Sequence, residues 1–167
     1  MSYIESCMDF SPLFAQENSI YIEKSNFRER LGAGVKSVEF VTIRDSKLYF
    51  IEAKRSAPNP KNLKSKLNIA EYCQDLLEKA QHSLDLLASK ELDFNKDLDE
   101  EFPGCFNEKK LVDYKIIFLL VINGHEKEWC SDIQEIVQRK LVALRKIWRI
   151  DVIVFNDVQA KSRNFIA

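Results

Sequence analysis

A chain of 167 residues, 46% hydrophobic and 31% charged, is long enough to bury one core without disulfide or metal staples and fits a single domain over 1–167. Its formal net charge of −1 excludes a nucleic-acid binder that works by overall basicity, so any such role must come from local charge. No run of apolar residues approaches membrane-spanning length and no basic-then-apolar start follows Met1, so neither export nor a membrane partner is expected.

Cys7, Cys73, Cys105 and Cys130 show no C-x-x-C spacing, and His82 and His125 complete no zinc set. The expectation is four reduced, mostly buried thiols in a cytoplasmic protein. Phe10, Leu13 and Phe14 suit one side of a short helix ending near Asn18. Ile20–Lys24 reads as a strand, and Asn26–Leu31 as a helical turn or loop. Gly32-Ala-Gly34 is a flexible entry to a hairpin rather than a phosphate loop.

Val35–Pro60 is the most informative stretch. Two β-rich runs flank Arg44-Asp45-Ser46-Lys47, a polar break suited to a hairpin with a two-residue loop, Asp45-Ser46, or a four-residue loop on the same centre. Either loop pairs Ile43 with Leu48, Val41 with Phe50 and Glu39 with Glu52. Alternation then gathers Glu39, Val41, Ile43, Leu48, Phe50, Glu52 and Lys54 on one face. Opposed residues have Cβ atoms about 4.5–5.5 Å apart, where like charges destabilise. Two unit charges at about 4 Å repel by about 1 kcal/mol in water and about 4 kcal/mol at an effective dielectric of 20. A divalent cation removes that cost, since Mg²⁺ takes oxygen ligands and is often held by one or two carboxylates.

An acid on one strand and Glu52-Ala53-Lys54 ending the next resembles the PD-(D/E)XK nuclease superfamily. Other acid-x-Lys triplets occur, such as Asp45-Ser-Lys47 and Asp113-Tyr-Lys115, but only Glu52-Ala-Lys54 ends an apolar strand with a partner acid in register. The resemblance implies that Glu39, Glu52 and the Ala53 carbonyl hold Mg²⁺ or Mn²⁺ while Lys54 orients the attacking water, so Glu39, Glu52 and Lys54 are the expected catalytic residues. It also implies a further acid from the N-terminal region, with Glu17, Glu23 and Glu29 all eligible, and room for a homodimer. The family's first acid is usually aspartate after proline or another small residue. Here Glu39 follows Val38 and is one methylene longer.

Pro58 and Pro60 close the strand region. From Ala53 to Ala70 stand Lys54, Arg55, Lys61, Lys64 and Lys66 with no acid. A solvated face is the ordinary fate of such a run, but this one begins at the hairpin acids, where a phosphate backbone needs neutralising. Arg55, Lys61, Lys64 and Lys66 are therefore the expected nucleic-acid contacts. A second acid-free run, Arg139–Arg149, is expected to be a solvated face.

Leu63 to about Ser89 reads as a long helix with a stripe of Ile69, Tyr72, Cys73, Leu76, Leu77, Ala80, Leu84 and Leu87. Some superfamily members bring a glutamine or lysine from this helix to the scissile phosphate, which makes Gln74 and Gln81, on one edge of the stripe, further candidates. Glu91–Lys110 is an irregular acidic insertion, and its Asp93-x-Asn95-x-Asp97-x-Asp99 spacing lacks the glycine and final glutamate of a calcium loop.

Tyr114–Ile122 is apolar enough for a strand buried on both faces. Ser131-Asp-Ile-Gln134 reads as a capping box opening a helix with a buried stripe of Ile133, Ile136, Val137, Leu141, Leu144, Ile147 and Trp148. Ile150–Phe155 is a last strand, parallel to Tyr114–Ile122 through a right-handed crossover. The expected fold is α/β: a mixed central sheet flanked by helices, with a restriction-endonuclease-like core of β-meander, helix and βαβ unit.

The function implied is metal-dependent phosphodiester hydrolysis of nucleic acid, DNA favoured. The alternative is a catalytically inactive nuclease-fold module that binds nucleic acid or a protein partner.

Overall fold

A computed structural model describes the chain except for residues 1, 63–65, 96, 97 and 99, and the side chains of 66 and 67. Lys64 and the side chain of Lys66 thus lie outside the described residues, as do Asp97 and Asp99, the second half of the acidic spacing. The fold is α/β. In chain order the strands are β1 (Ile4–Glu5), β2 (Met8–Asp9), β3 (Ser19–Tyr21), β4 (Phe40–Arg44), β5 (Lys47–Lys54), β6 (Lys115–Ile122) and β7 (Asp151–Asn156). The helices are α1 (Asn26–Leu31), α2 (Lys66–Glu91), α3 (Lys127–Lys140), α4 (Val142–Trp148) and α5 (Asp157–Ser162).

β3 to β7 form one mixed sheet in sequence order. β3–β4–β5 is an antiparallel meander, and β5–β6 and β6–β7 are parallel. The β4–β5 register is the expected one, with Ile43 opposite Leu48 and Val41 opposite Phe50. Asp45 and Ser46 form the two-residue loop at φ 51° and 58°. Positive φ at both central positions is the turn geometry whose twist matches a hairpin. Ser6 and Cys7 repeat it at φ 51° and 64° between β1 and β2. That small hairpin leaves no mark in the sequence, because two-residue strands are too short to show alternation.

β5, β6 and β7 follow one another in one direction across the sheet, so right-handed crossovers place both connecting helices on the same face. Cys73, Leu76, Ala80 and Leu84 of α2 and Ile133 and Val137 of α3 accordingly pack on Val41, Leu48, Phe50, Phe118 and Leu120. The opposite face is closed by the chain ends: Met8, Phe10, Leu13, Phe165 and Ile166 lie on Phe40, Ile51, Leu119 and Val121. Every β6 residue after Lys115 is buried, as its unbroken apolar run requires. Each such side chain contributes about 1.5–3 kcal/mol on full burial.

Two details of the last third depart from expectation. α3 opens at Lys127 rather than at Ser131, whose hydroxyl donates to the Glu128 carbonyl inside the helix. Gln134, the other half of the supposed box, accepts from Val154 N at 3.0 Å, and Gln138 donates to Val152 O at 3.3 Å. These two glutamines, one helical turn apart, occupy outward backbone groups of the edge strand β7, which a sheet edge otherwise leaves open to pairing. The buried stripe holds through Leu144, but the last turn of α4 carries Ile147 (74% exposed) and Trp148 out to solvent. All four cysteines are free; Cys73 and Cys130 are buried and Cys7 is exposed. Among the described residues no helix is long and apolar enough to cross a membrane.

Candidate functional site

The site forms where the β4–β5 ladder stops. Its register would continue past Phe40–Ile51 to set Glu39 opposite Glu52 and Val38 opposite Ala53. The backbone makes neither pair: the ladder ends at Phe40–Ile51. Val38 N donates to the Ser83 hydroxyl of α2 at 2.9 Å, and Lys36 N donates to His82 Nδ1 at 3.1 Å. The segment before β4 is thus tied to α2 instead of to β5. The Ala53 N–H that this leaves over donates to Glu39 Oε2 at 2.8 Å, while the Ala53 carbonyl accepts from the Ser6 hydroxyl at 3.1 Å. A ladder gap has become a cluster of polar groups on an otherwise apolar face.

Glu39 (5% exposed) and Glu52 (0% exposed) both point into it. Lys54, the last residue of β5, lies 3.0 Å from Glu52 Oε1 and 3.0 Å from Asp75 Oδ2. The sequence reading puts Glu39, Glu52 and Lys54 together, and the structure brings them together. It adds Lys79, whose Nζ lies 2.7 Å from Glu52 Oε1, 3.5 Å from Glu39 Oε1 and 3.7 Å from Glu23 Oε1. Of the three eligible N-terminal acids, Glu23 is the one in this cluster, carried by the short 3-10 turn Ile22–Lys24 after β3. Lys36 forms the outer rim, 3.0 Å from Asp75 and 2.8 Å from Glu78.

The helix contributes differently from the expectation. Gln74 and Gln81 are exposed on α2, Gln74 donating to Glu78 at 2.9 Å. Asp75 and Lys79, one turn apart on the other edge of the stripe, are the residues that enter the cluster. Arg55 and Lys61 are exposed on the segment leaving β5, and Lys61 lies 3.8 Å from Asp132 of α3.

Burial, then the charge of nearby Glu52, push the Glu39 carboxyl well above the ordinary carboxylate range, while the Lys79 ammonium and the Ala53 N–H pull the other way. Burial raises Glu23 too. Burial, the largest single influence, pulls both lysines down, but the charges and hydrogen bonds of the surrounding acids together outweigh it: Glu52 and Asp75 for Lys54, and Glu52, Glu39 and Glu23 for Lys79, so both end above the ordinary lysine value. Asp75 is raised by burial yet ends lowered, because Lys54 and Lys36 hydrogen-bond to its ionised form. Tyr72 flanks the cluster with its hydroxyl buried and, among the described residues, without a hydrogen-bond partner, and burial raises it.

One atom stands out. Glu52 Oε2 is buried and has no hydrogen-bond partner among the described residues. An unpaired buried carboxylate oxygen is costly, on the order of 1–3 kcal/mol or more. Divalent-ion chemistry suits it: two buried carboxylates from adjacent strands, one with a free oxygen, beside a backbone carbonyl released from the ladder. Among the described residues, however, no three acid, imidazole or thiol groups close on one point as a finished ligand set. The Lys79 ammonium stands where Glu23, Glu39 and Glu52 meet. No family model, no curated protein and no solved structure matches this chain.

Proposed function

We propose that the protein is a metal-dependent phosphodiesterase acting on nucleic acid, DNA favoured, with a restriction-endonuclease-like core of the PD-(D/E)XK kind. The observation that carries this reading is the unpartnered Glu52 Oε2, buried beside Glu39 with Lys54 on the same strand end. The order of meander, helix and parallel βαβ unit is the one the resemblance implies. The cluster also lies at the carboxyl end of β5, where open α/β sheets bind ligands.

Mg²⁺ or Mn²⁺ bound here would supply Lewis-acid stabilisation of the phosphoryl oxygens and make water a better nucleophile at neutral pH. Glu39, Glu52 and the Ala53 carbonyl are the groups that would hold it. Lys54, gripped by Glu52 and Asp75 and kept protonated by them, acts as a charged donor that orients the nucleophile rather than as a base. Arg55 and Lys61 neutralise backbone phosphates entering over the β5–α2 segment.

A second reading has its own support. Lys79 already neutralises the carboxylates, and Glu39 stands where the family favours aspartate, as a module that binds nucleic acid or a protein partner without cutting would allow. One experiment separates them. Purified protein is incubated with plasmid DNA and RNA in Mg²⁺ and Mn²⁺, beside Glu52→Ala and Lys54→Ala. The expected outcome is nicking by wild type that falls by about 10²-fold or more in both variants. Equal cutting by all three removes the enzyme reading. Binding that weakens steeply with salt and never yields product establishes the inactive module.

A further inference from the structure

We propose that Lys79 is the resident counter-cation of this site and that a divalent ion binds by displacing its ammonium from the junction of Glu23, Glu39 and Glu52. The proposal rests on the metal-dependent reading of the same site and adds how that site is regulated.

Three carboxylates from three separate elements converge on one nitrogen: Glu52 of β5 at 2.7 Å, Glu39 ahead of β4 at 3.5 Å, and Glu23 of the turn after β3 at 3.7 Å. An ammonium has three N–H donors and no acceptor, so it can face all three. The Lys79 side chain is only 12% exposed, deeper than Lys54 at 24% or Lys36 at 40%. Those two lysines share Asp75 on the rim. Among the described residues, Lys79 is the lysine that touches both buried glutamates.

An ammonium and a divalent ion cannot share that junction. Ammonium contacts here span 2.7–3.7 Å, whereas Mg²⁺ draws oxygens in to about 2.0–2.1 Å. Like charges at such separations repel strongly once desolvated. Lys79 sits on the polar edge of α2, on a flexible four-carbon stem, so it can leave by side-chain rotation with the helix in place. The unpartnered Glu52 Oε2 is the oxygen that Lys79 does not satisfy and that an incoming ion can take first. In the cation-free protein the ammonium occupies the junction, and metal affinity is set by how readily Lys79 gives way.

Two measurements test this. The first titrates MnCl₂ and MgCl₂ into wild type and Lys79→Gln, which keeps a donor at the position without the charge, with Glu52→Gln as a binding-deficient control. The expected result is Mn²⁺ affinity on the order of tenfold tighter in Lys79→Gln. Removing any nearby positive charge would also tighten binding, so the second measurement reads position in the unaltered protein. Lysines are labelled with an amine-reactive acetylating reagent, and mass spectrometry follows Lys79 with and without saturating Mg²⁺. Labelling of Lys79 is expected to be slow in the cation-free protein and several-fold faster with the ion. If Lys79→Gln fails to fold, the wild-type labelling still decides. Metal binding with Lys79 labelling unchanged or slowed overturns the displacement and leaves the metal site standing. Absence of binding in both proteins, with labelling unchanged, overturns the metal-dependent reading itself.

Discussion

The two ends of one strand pair, on one face, have opposite chemistry. Near the turn, Val41, Leu48 and Phe50 are buried under α2 and α3 among aliphatic and aromatic neighbours. Two residues further along the same face, Glu39 and Glu52 are just as buried, but among lysines and other acids. The ladder explains the change. As far as Phe40–Ile51 the backbones satisfy each other, and side chains are left only to pack. Beyond it the segment before β4 turns to His82 and Ser83, and polar side chains take over the released backbone groups. One end is held by hydrocarbon contact, which is indifferent to pH. The other is held by groups whose charge state matters.

The largest expected effect tests the apolar end. Phe50→Ala removes a buried ring at its centre and should cost about 3–5 kcal/mol in urea denaturation. The loss should be the same at pH 5.5 and 8.5, because no titrating group touches the ring's role. A loss that varied with pH across that range would show that packing and charge are not separable along this hairpin.

The charged end should respond to pH instead. Glu39 rises from an ordinary 4.5 to about 9 in the folded protein, so between those values the folded state binds a proton that the unfolded chain has released. Stability of the cation-free protein must then fall as pH rises through that window, by about 1.4 kcal/mol per pH unit at its steepest. Glu23, also raised, acts in the same direction, whereas His125, lowered by burial from its ordinary 6.5, opposes it over the acidic part of the window. Asp75, being lowered, titrates below the window, and Lys54 and Lys79, being raised, titrate above it. Glu39→Gln should flatten the slope in denaturation series run in a chelator. A wild-type profile that rises or stays level from pH 5.5 to 8.5 would mean that Glu39 is ionised in the folded protein.

The contrast also explains what is legible in the sequence. Period-2 alternation around a short polar break specifies the register as far as Phe40–Ile51, and extending it by one residue is what puts Glu39, Glu52 and Lys54 on one face. β6 and the parallel βαβ unit are legible from an unbroken apolar run. Asp75 and Lys79 are not, because a charged residue at the flank of a helical stripe looks the same whether it faces water or a buried acid. Their signal exists at one remove: Tyr72, Asp75, Lys79 and Ser83 run down one edge of α2 at three- and four-residue steps. Glu23 cannot be chosen over Glu17 or Glu29 by pattern, since it sits on a single turn after a three-residue strand. Gln134 misleads because a glutamine three residues after a serine fits a cap as well as it fits a sheet edge.

The smallest expected effect lies on the rim and sharpens where the charged end stops being structural. Lys36 bridges Asp75 and Glu78 with its own side chain 40% exposed, and such pairs gain little over water. Lys36→Met should leave the unfolding midpoint within the scatter of replicate curves, in low salt and in high. Its consequence should appear one step inward. Asp75 is held by Lys36 on one oxygen and by Lys54 on the other. Without Lys36, the Asp75 carboxyl loses one of the two hydrogen bonds that keep it low and should titrate at higher pH by NMR. Lys54 then keeps Glu52 as its fixed partner while its grip on Asp75 loosens, so any metal-dependent nicking should weaken modestly while stability does not. If stability fell instead, Lys36 would belong to the scaffold and the boundary between packing and chemistry would lie further out than Asp75.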